Sequence, residues 1–238
     1  MEQKNKDLIL KTLEEKSDTK QKIYDTSLNV FETLKRVLKN IAIELNDELI
    51  GKVDERVLLE YKDKGAFEAE LKVAGDVLIF NMHTNVFDFP KEHNVQKFSY
   101  FYNNPMNSLS GIISIYNFLS DSFRFHRYDD LGYMIGRIFI NREKHYFLEG
   151  KRQLGFLYNN YEHAVIDEAA LKKIVFSSIL YTLDFDLLVP KYDDVSIVSV
   201  GQILDANNKT RIKTGKRLGF KFYPDNDDVE AKKKKGIE

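Results

Sequence analysis

The chain has 238 residues, with 36 lysines and arginines against 37 aspartates and glutamates, so its formal charge is -1. This balance disfavours a nucleic-acid partner, because general polyanion binders usually carry a clear basic excess. The chain contains no cysteine, which excludes disulfides, thiolate metal sites and a cysteine nucleophile. With 43% apolar residues, a chain of this length can bury a substantial core.

Residues 1–50 have the apolar periodicity of a long helix. Large apolar side chains, among them Phe31, Leu34 and Leu38, recur every three or four positions, which is typical of one apolar stripe along a helix. Lys35 is predicted to lie on another face. Because about 28 helical residues span ~42 Å, we predict that Phe31, Leu34 and Leu38 contact a second copy and form a homodimer. Packing of the stripe on the chain's own sheet is the alternative.

The apolar periodicity fails between residues 16 and 22, where Ser17, Asp18 and Thr19 replace large apolar side chains. We therefore predict either a break in the helix at this point or an exposed first segment. Asp18 and Thr19 are both suitable caps for a second helix, which we expect to end near Leu49.

Several later segments alternate between apolar and polar residues with a period of two, which is typical of β-hairpins. Glycine or polar residues separate the two strands of each pair. The predicted hairpins pair residues 67–73 with 77–87, 131–140 with 145–149, and 195–204 with 218–223.

Two further segments are predicted to be helices, a short buried one over residues 109–119 and an amphipathic one over residues 167–187. The fold class is therefore α+β, with a mainly antiparallel sheet built from hairpins, helices packed against it and a long N-terminal helix. This order of elements resembles that of small-molecule sensor domains of the GAF or PAS kind, and the resemblance implies a ligand pocket between sheet and helices.

The predicted domain organisation has three parts. Residues 1–50 form a helical association segment, residues 51–225 form the α+β domain, and residues 226–238 form a basic, frayed tail that contains four consecutive lysines. The N-terminal segment lacks the apolar core of a signal peptide, and no run approaches the ~18 apolar residues of a membrane helix. We therefore predict a cytoplasmic protein without a membrane partner.

The sequence lacks the common catalytic and cofactor motifs. Neither of the glycine-rich phosphate-binding motifs occurs, and GxSxG and HExxH are also absent. None of the five histidines lies four residues from another on a predicted helix. We therefore predict no cofactor and no metal site, and we favour a non-catalytic function.

One alternative interpretation of the sequence is that the protein is an enzyme. Asp130 opens a predicted strand, and Glu149-Gly150-Lys151 closes the next one. This arrangement resembles the metal-dependent nuclease pattern PD-(D/E)xK, although Tyr128 stands where that pattern has proline. The resemblance implies that Asp130 and Glu149 would hold magnesium and that Lys151 would stabilise developing charge.

Aromatic residues are concentrated between positions 87 and 128, where eleven occur. Tyr100, Tyr102 and Phe125 are predicted to line a ligand pocket, since such pockets are largely apolar with a few polar groups. A buried tyrosine also needs a hydrogen-bond partner for its hydroxyl. Simple burial in the core is the alternative.

A short internal echo provides a second set of candidate residues. The string GKRQLGF begins at Gly150 and GKRLGF begins at Gly215. If both lie at strand ends, Lys151, Arg152, Lys216 and Arg217 could hold a phosphate or carboxylate. Coincidence is the alternative.

These observations together favour a non-catalytic ligand-binding or protein-interaction domain of the sensor kind, dimeric through its N-terminal helix. The alternatives are the metal-dependent nuclease and a structural component of a larger assembly. A small molecule and a second copy of the chain are the predicted partners.

Overall fold

A computed structural model describes residues 2–97, 99–128, 130–150, 161 and 163–185. The chain divides into two units, Met1–Tyr128 with Gly132–Asp186 and Asp129–Leu131 with Leu187–Glu238. All helices and strands given below belong to the first unit. The third predicted hairpin and the predicted tail lie outside the described residues.

One antiparallel sheet dominates the first unit, and its six strands neighbour one another in sequence order. The hairpins predicted at residues 67–87 and 131–149 are both present. The predicted α+β class, with a hairpin-built antiparallel sheet after a long N-terminal helix, is confirmed. The strands are β1 (Glu60–Asp63), β2 (Glu68–Val73), β3 (Asp76–Met82), β4 (Gly111–Leu119), β5 (Tyr133–Ile140) and β6 (Tyr146–Gly150).

The helices lie before, between and after the strands. They are α1 (Glu2–Thr12), α2 (Asp18–Leu49), α3 (Ser99–Asn103), α4 (Ser120–Arg124) and α5 (Glu168–Leu183). Short 3₁₀ helices cover Glu55–Val57, Asn94–Lys97 and Pro105–Ser108. None of the described helices is long and apolar enough to cross a membrane.

The helix does not break near residue 17, but the first segment is exposed as the alternative predicts, since α1 contains no buried residue. Leu13–Ser17 is a π-helical turn that joins α1 to α2 without interrupting the helix. The residue before α2 has helical backbone angles and no side-chain cap, so the predicted capping by Asp18 or Thr19 does not occur. The end of α2 at Leu49 agrees with the prediction.

Two apolar clusters cover opposite faces of the sheet. Ile113 and Ile138 belong to the larger cluster with α2 and α5, whereas the adjacent residues Ile112 and Phe139 belong to the smaller one. This division follows from the alternation of side chains along each strand. The smaller cluster also contains Phe89, Val95, Phe101 and Tyr161.

The apolar stripe of α2 lies against the chain's own sheet. Phe31, Leu34 and Leu38 each have 0% of their surface exposed and belong to the larger cluster. These side chains therefore cannot form the predicted dimer contact in this fold, because none of their surface is accessible to a second chain. Self-association of the chain stays a prediction.

Residues 109–119 were predicted to be a helix, and this prediction is wrong. Gly111–Leu119 is β4, which pairs with β3 on one side and β5 on the other. The segment alternates between buried and half-buried residues, as a strand does. Its β-branched and aromatic residues favour the extended chain, and the run of apolar residues concealed the period of two.

Candidate functional site

Tyr100, a predicted site residue, lies in a polar network that joins α3 to the β5–β6 turn. Its ring stacks on that of His145, with centroids 4.8 Å apart and an angle of 6° between the planes. Asn141 Nδ2 donates a hydrogen bond to Tyr100 Oη at 2.9 Å, and the Tyr100 hydroxyl donates to the Glu143 carboxylate. The polar end of Tyr100 is thus held by its own chain.

The network continues from His145 into the smaller apolar cluster. His145 Nδ1 lies 2.9 Å from the carbonyl oxygen of Tyr161, and it carries the proton because a carbonyl only accepts. The Tyr161 hydroxyl shares a hydrogen bond of 2.8 Å with Ser110 Oγ. Asn141 also accepts from the backbone N–H groups of Glu143 and His145 at 2.9 and 3.0 Å. The network therefore links the β5–β6 turn, α3 and the start of β4 by hydrogen bonds.

The two phenols in this network, the half-buried Tyr100 and the buried Tyr161, resist ionisation. Burial raises the pKa of Tyr100 to about 12, with a further contribution from its hydrogen bond to Glu143. Burial also raises the pKa of Tyr161. Both hydroxyls stay protonated at neutral pH, so they act as structural donors and acceptors and supply no phenolate base.

Replacing Tyr100 by phenylalanine is expected to lower the free energy of unfolding by ~1 kcal/mol at neutral pH, because the hydroxyl's hydrogen bonds are lost. In the unfolded chain this phenol ionises near pH ~10, whereas in the folded chain its pKa is about 12. The folded state therefore loses the contribution of Tyr100 as the pH rises through this window.

Urea denaturation of both proteins between neutral pH and the top of this window checks the prediction. The difference in stability between wild type and Tyr100→Phe should shrink as the pH rises. A difference that stays constant would show that Tyr100 is not held in its neutral form.

Of the other predicted ligand-binding residues, only Phe125 has a described side chain, and it does not join Tyr100. Phe125 follows α4, where it is half-buried and lies 5.2 Å from the guanidinium carbon of Arg124. Tyr100 lies near the first residue of β4, whereas Phe125 follows α4, which begins after the last residue of β4. The two ends of β4 are roughly 25 Å apart at the usual rise of a strand. The side chain of Tyr102 lies outside the described residues. So do the residues of the internal echo, Lys151, Arg152, Lys216 and Arg217.

Of the nuclease-like residues, Glu149 forms an ion pair with Arg137 of the neighbouring strand. It lies opposite Arg137 in the β5–β6 register, and Arg137 Nε donates to its carboxylate at 2.7 Å. Asp130 belongs to the second unit, and Lys151 lies outside the described residues. Within the part of the chain that is described, no three acidic or histidine side chains form a group that could hold a metal ion.

A cleft opens between the start of α2 and the segment that follows β3. Its volume is about 640 Å³, and it is lined by Ser17, Lys20, Gln21, Tyr24 and residues 84–87. The four helical residues share one face because they are spaced three or four apart. Ser17 ends the π-helical turn, and such turns occur frequently at functional sites.

The wall formed by residues 84–87 is fixed at both ends by backbone hydrogen bonds. The His83 N–H donates to the Ile112 carbonyl at 2.9 Å, and Phe87 and Ser110 exchange two bonds of 2.8 Å. Between these anchors the Asn85 N–H donates to His83 Nδ1 at 3.0 Å. The Phe87 ring meets the His83 ring edge-to-face at 4.7 Å. The cleft therefore has two ordered walls, a helix and a braced loop.

The sequence did not predict this cleft, because its walls are separated by about sixty residues and neither has a recognised motif. The signal available was the loss of apolar periodicity between residues 16 and 22, which was interpreted as a break or an exposed first segment. Lys20 and Gln21 belong to that interval. Comparison of the chain with protein-family models, with curated proteins and with solved structures gives no match.

Proposed function

We propose that this protein is a non-catalytic binding domain whose small-molecule ligand occupies the cleft between α2 and residues 84–87. The cleft volume of about 640 Å³ carries this proposal, because it falls within the ~300–1,000 Å³ of small-molecule sites. Two aromatic side chains, Tyr24 and Phe87, line it beside hydroxyl and amide groups. Five of the eight described residues that line the cleft are polar, so hydrogen bonds would orient a ligand that packs on the two rings.

The chemistry of the lining favours binding over catalysis. General acid–base catalysis needs a group that gains or loses a proton near the working pH. Neither a histidine nor a carboxylate is found among the described residues that line the cleft. His83 lies next to the wall, but its Nδ1 accepts the Asn85 N–H and so supports the loop.

We also propose that two copies of the chain associate. The contact would be formed by α1 and the π-helical turn, because the apolar stripe of α2 lies in the core. The start of α1 carries Lys4 and Lys6, and the turn carries Glu14 and Glu15. Two copies packed antiparallel bring the lysines of one beside the glutamates of the other, and a two-fold pair closes with one interface. The apolar side chains left for such contact are Leu8, Ile9, Leu10 and Leu13, which are 63%, 59%, 46% and 54% exposed.

Native mass spectrometry of the purified full chain tests both parts of the proposal in one spectrum. We expect a dimer that retains a small molecule. Phe87→Ala is expected to weaken binding at least tenfold, which corresponds to ~1.4 kcal/mol of lost binding free energy, and so to lower the fraction of protein that retains the ligand. Phe123→Ala is the matched control, since Phe123 is also about half exposed, at 45%, but lies on α4.

Equal occupancy in the Phe87 and Phe123 variants would contradict the placement of the ligand. A wild-type protein that retains no ligand and binds no added aromatic probe would contradict the binding function. A monomer at micromolar concentration would contradict self-association, and Leu10→Asp should convert a dimer into a monomer.

A further inference from the structure

We infer that the ligand of the cleft is a small aromatic anion whose carboxylate or phosphate group binds Lys20. This inference rests on the proposed function and adds the chemical class of the ligand. It follows from the charges, the hydrogen-bonding groups and the aromatic surface of the lining, taken in turn.

The charge of the lining is positive. Lys20 is its cation, and none of the described residues that line the cleft is acidic. Lys20 forms no ion pair with any described residue, whereas Lys22, two positions later, lies 2.6 Å from Asp18. Gln21 points its amide towards Asp25 at 3.5 Å. A cation without a carboxylate beside it attracts an anionic group and repels a cationic ligand.

The neutral polar groups of the lining can complete the coordination of an anion. Ser17 and Thr84 contribute hydroxyls and Asn85 contributes an amide, and each of these groups can donate a hydrogen bond. Hydrogen bonds that involve an ionised partner are roughly twice as strong as neutral ones. Donors placed around a lysine therefore favour a carboxylate or phosphate over a neutral polar group.

The aromatic surface indicates that the anion is attached to a planar apolar group. Phe87 is 37% exposed, whereas Phe31 and Phe80 in the core are 0% exposed. Its free surface adjoins the cleft, which Tyr24 also lines. Aromatic rings pack well against other rings, either offset or edge-to-face. The cleft is far larger than an inorganic phosphate, so it has room for an aromatic group beside the anion.

Isothermal titration calorimetry of the full chain with phenyl phosphate and with benzyl alcohol tests the inference, because the two probes share a ring and differ in charge. Wild type should bind phenyl phosphate at least tenfold more tightly than benzyl alcohol. Lys20→Met should remove this preference and leave the affinity for benzyl alcohol unchanged. Lys22→Met is the matched control and should behave as wild type, since that lysine is paired with Asp18.

The outcomes separate this inference from the function on which it rests. If both probes bind equally and Lys20→Met changes neither affinity, the anionic class is wrong and the binding function stands. If inorganic phosphate binds as tightly as phenyl phosphate, the aromatic part is wrong. If neither aromatic probe binds and the purified protein retains no ligand, the proposed function fails as well.

Discussion

Replacing Leu34 by aspartate is expected to unfold the protein and not merely to separate two folded copies. Leu34 is 0% exposed and belongs to the cluster that α2 forms with the sheet. An aspartate there would bury a carboxylate without a partner and remove an apolar side chain, at a cost above ~5 kcal/mol. Domains are usually stable by only ~5–15 kcal/mol, so this cost removes most or all of the stability.

Ile43→Asp provides the matched control, because Ile43 lies on the same helix and is 51% exposed. It should change the free energy of unfolding by less than ~1 kcal/mol. Circular dichroism and urea denaturation of the two variants compare the sites directly. A folded, monomeric Leu34→Asp variant would contradict the assignment of this stripe to the core, and it would revive the dimer contact predicted from the sequence.

Local patterns in the sequence were sufficient for most elements of the described fold. The two described hairpins follow from alternation and from the polar residues between their strands. The start of α5 follows from Asp167, whose side chain accepts the Ala170 N–H at 2.7 Å, as expected of an N-cap. The prediction failed at β4, since a strand with neighbours on both sides can be apolar on both faces and then loses its alternation.

Lys35 shows why burial could not be predicted from the helical stripe. The sequence placed it on another face of the helix, yet its side chain is 8% exposed and lies 3.1 Å from Glu32 and 3.2 Å from Asp63. Burial alone would lower the pKa of Lys35, but the hydrogen bonds to Glu32 and Asp63 outweigh it and raise the pKa. Asp63 belongs to β1, so its position beside α2 depends on the tertiary fold.

The same dependence on distant residues limits prediction of the candidate site. That a tyrosine withdrawn from water at position 100 needs hydrogen-bond partners follows from its chemistry. That Asn141 and Glu143 supply them follows from the position of the β5–β6 turn. Likewise, Lys20 and Phe87 share a cleft only because α2 packs beside the segment that follows β3.

Gly111→Ala is the second substitution with a large expected effect. Gly111 begins β4 directly beneath α2, and a Cβ atom there would overlap Ser27 Oγ and lie 3.0 Å from Ser27 Cβ. A glycine within a strand often marks such a close approach of another element. Ser27 is 0% exposed, and rotating its hydroxyl away would still leave its Cβ atom 3.0 Å from the new methyl group. We expect the extra methyl group to lower the free energy of unfolding by ~3 kcal/mol through overpacking.

A double-mutant cycle with Ser27→Gly tests this explanation, because the second substitution removes the atoms that the new methyl group would strike. The double variant should recover more than half of the lost stability, even though glycine within a helix costs ~1 kcal/mol. Urea denaturation should give a coupling energy of ~1.5–3 kcal/mol between the two sites. Gly75→Ala is the control: a Cβ atom there meets nothing within 4 Å, and stability should change by less than ~0.5 kcal/mol. Equal effects at Gly75 and Gly111, or strictly additive effects at Gly111 and Ser27, would show that α2 does not press on β4 at this point.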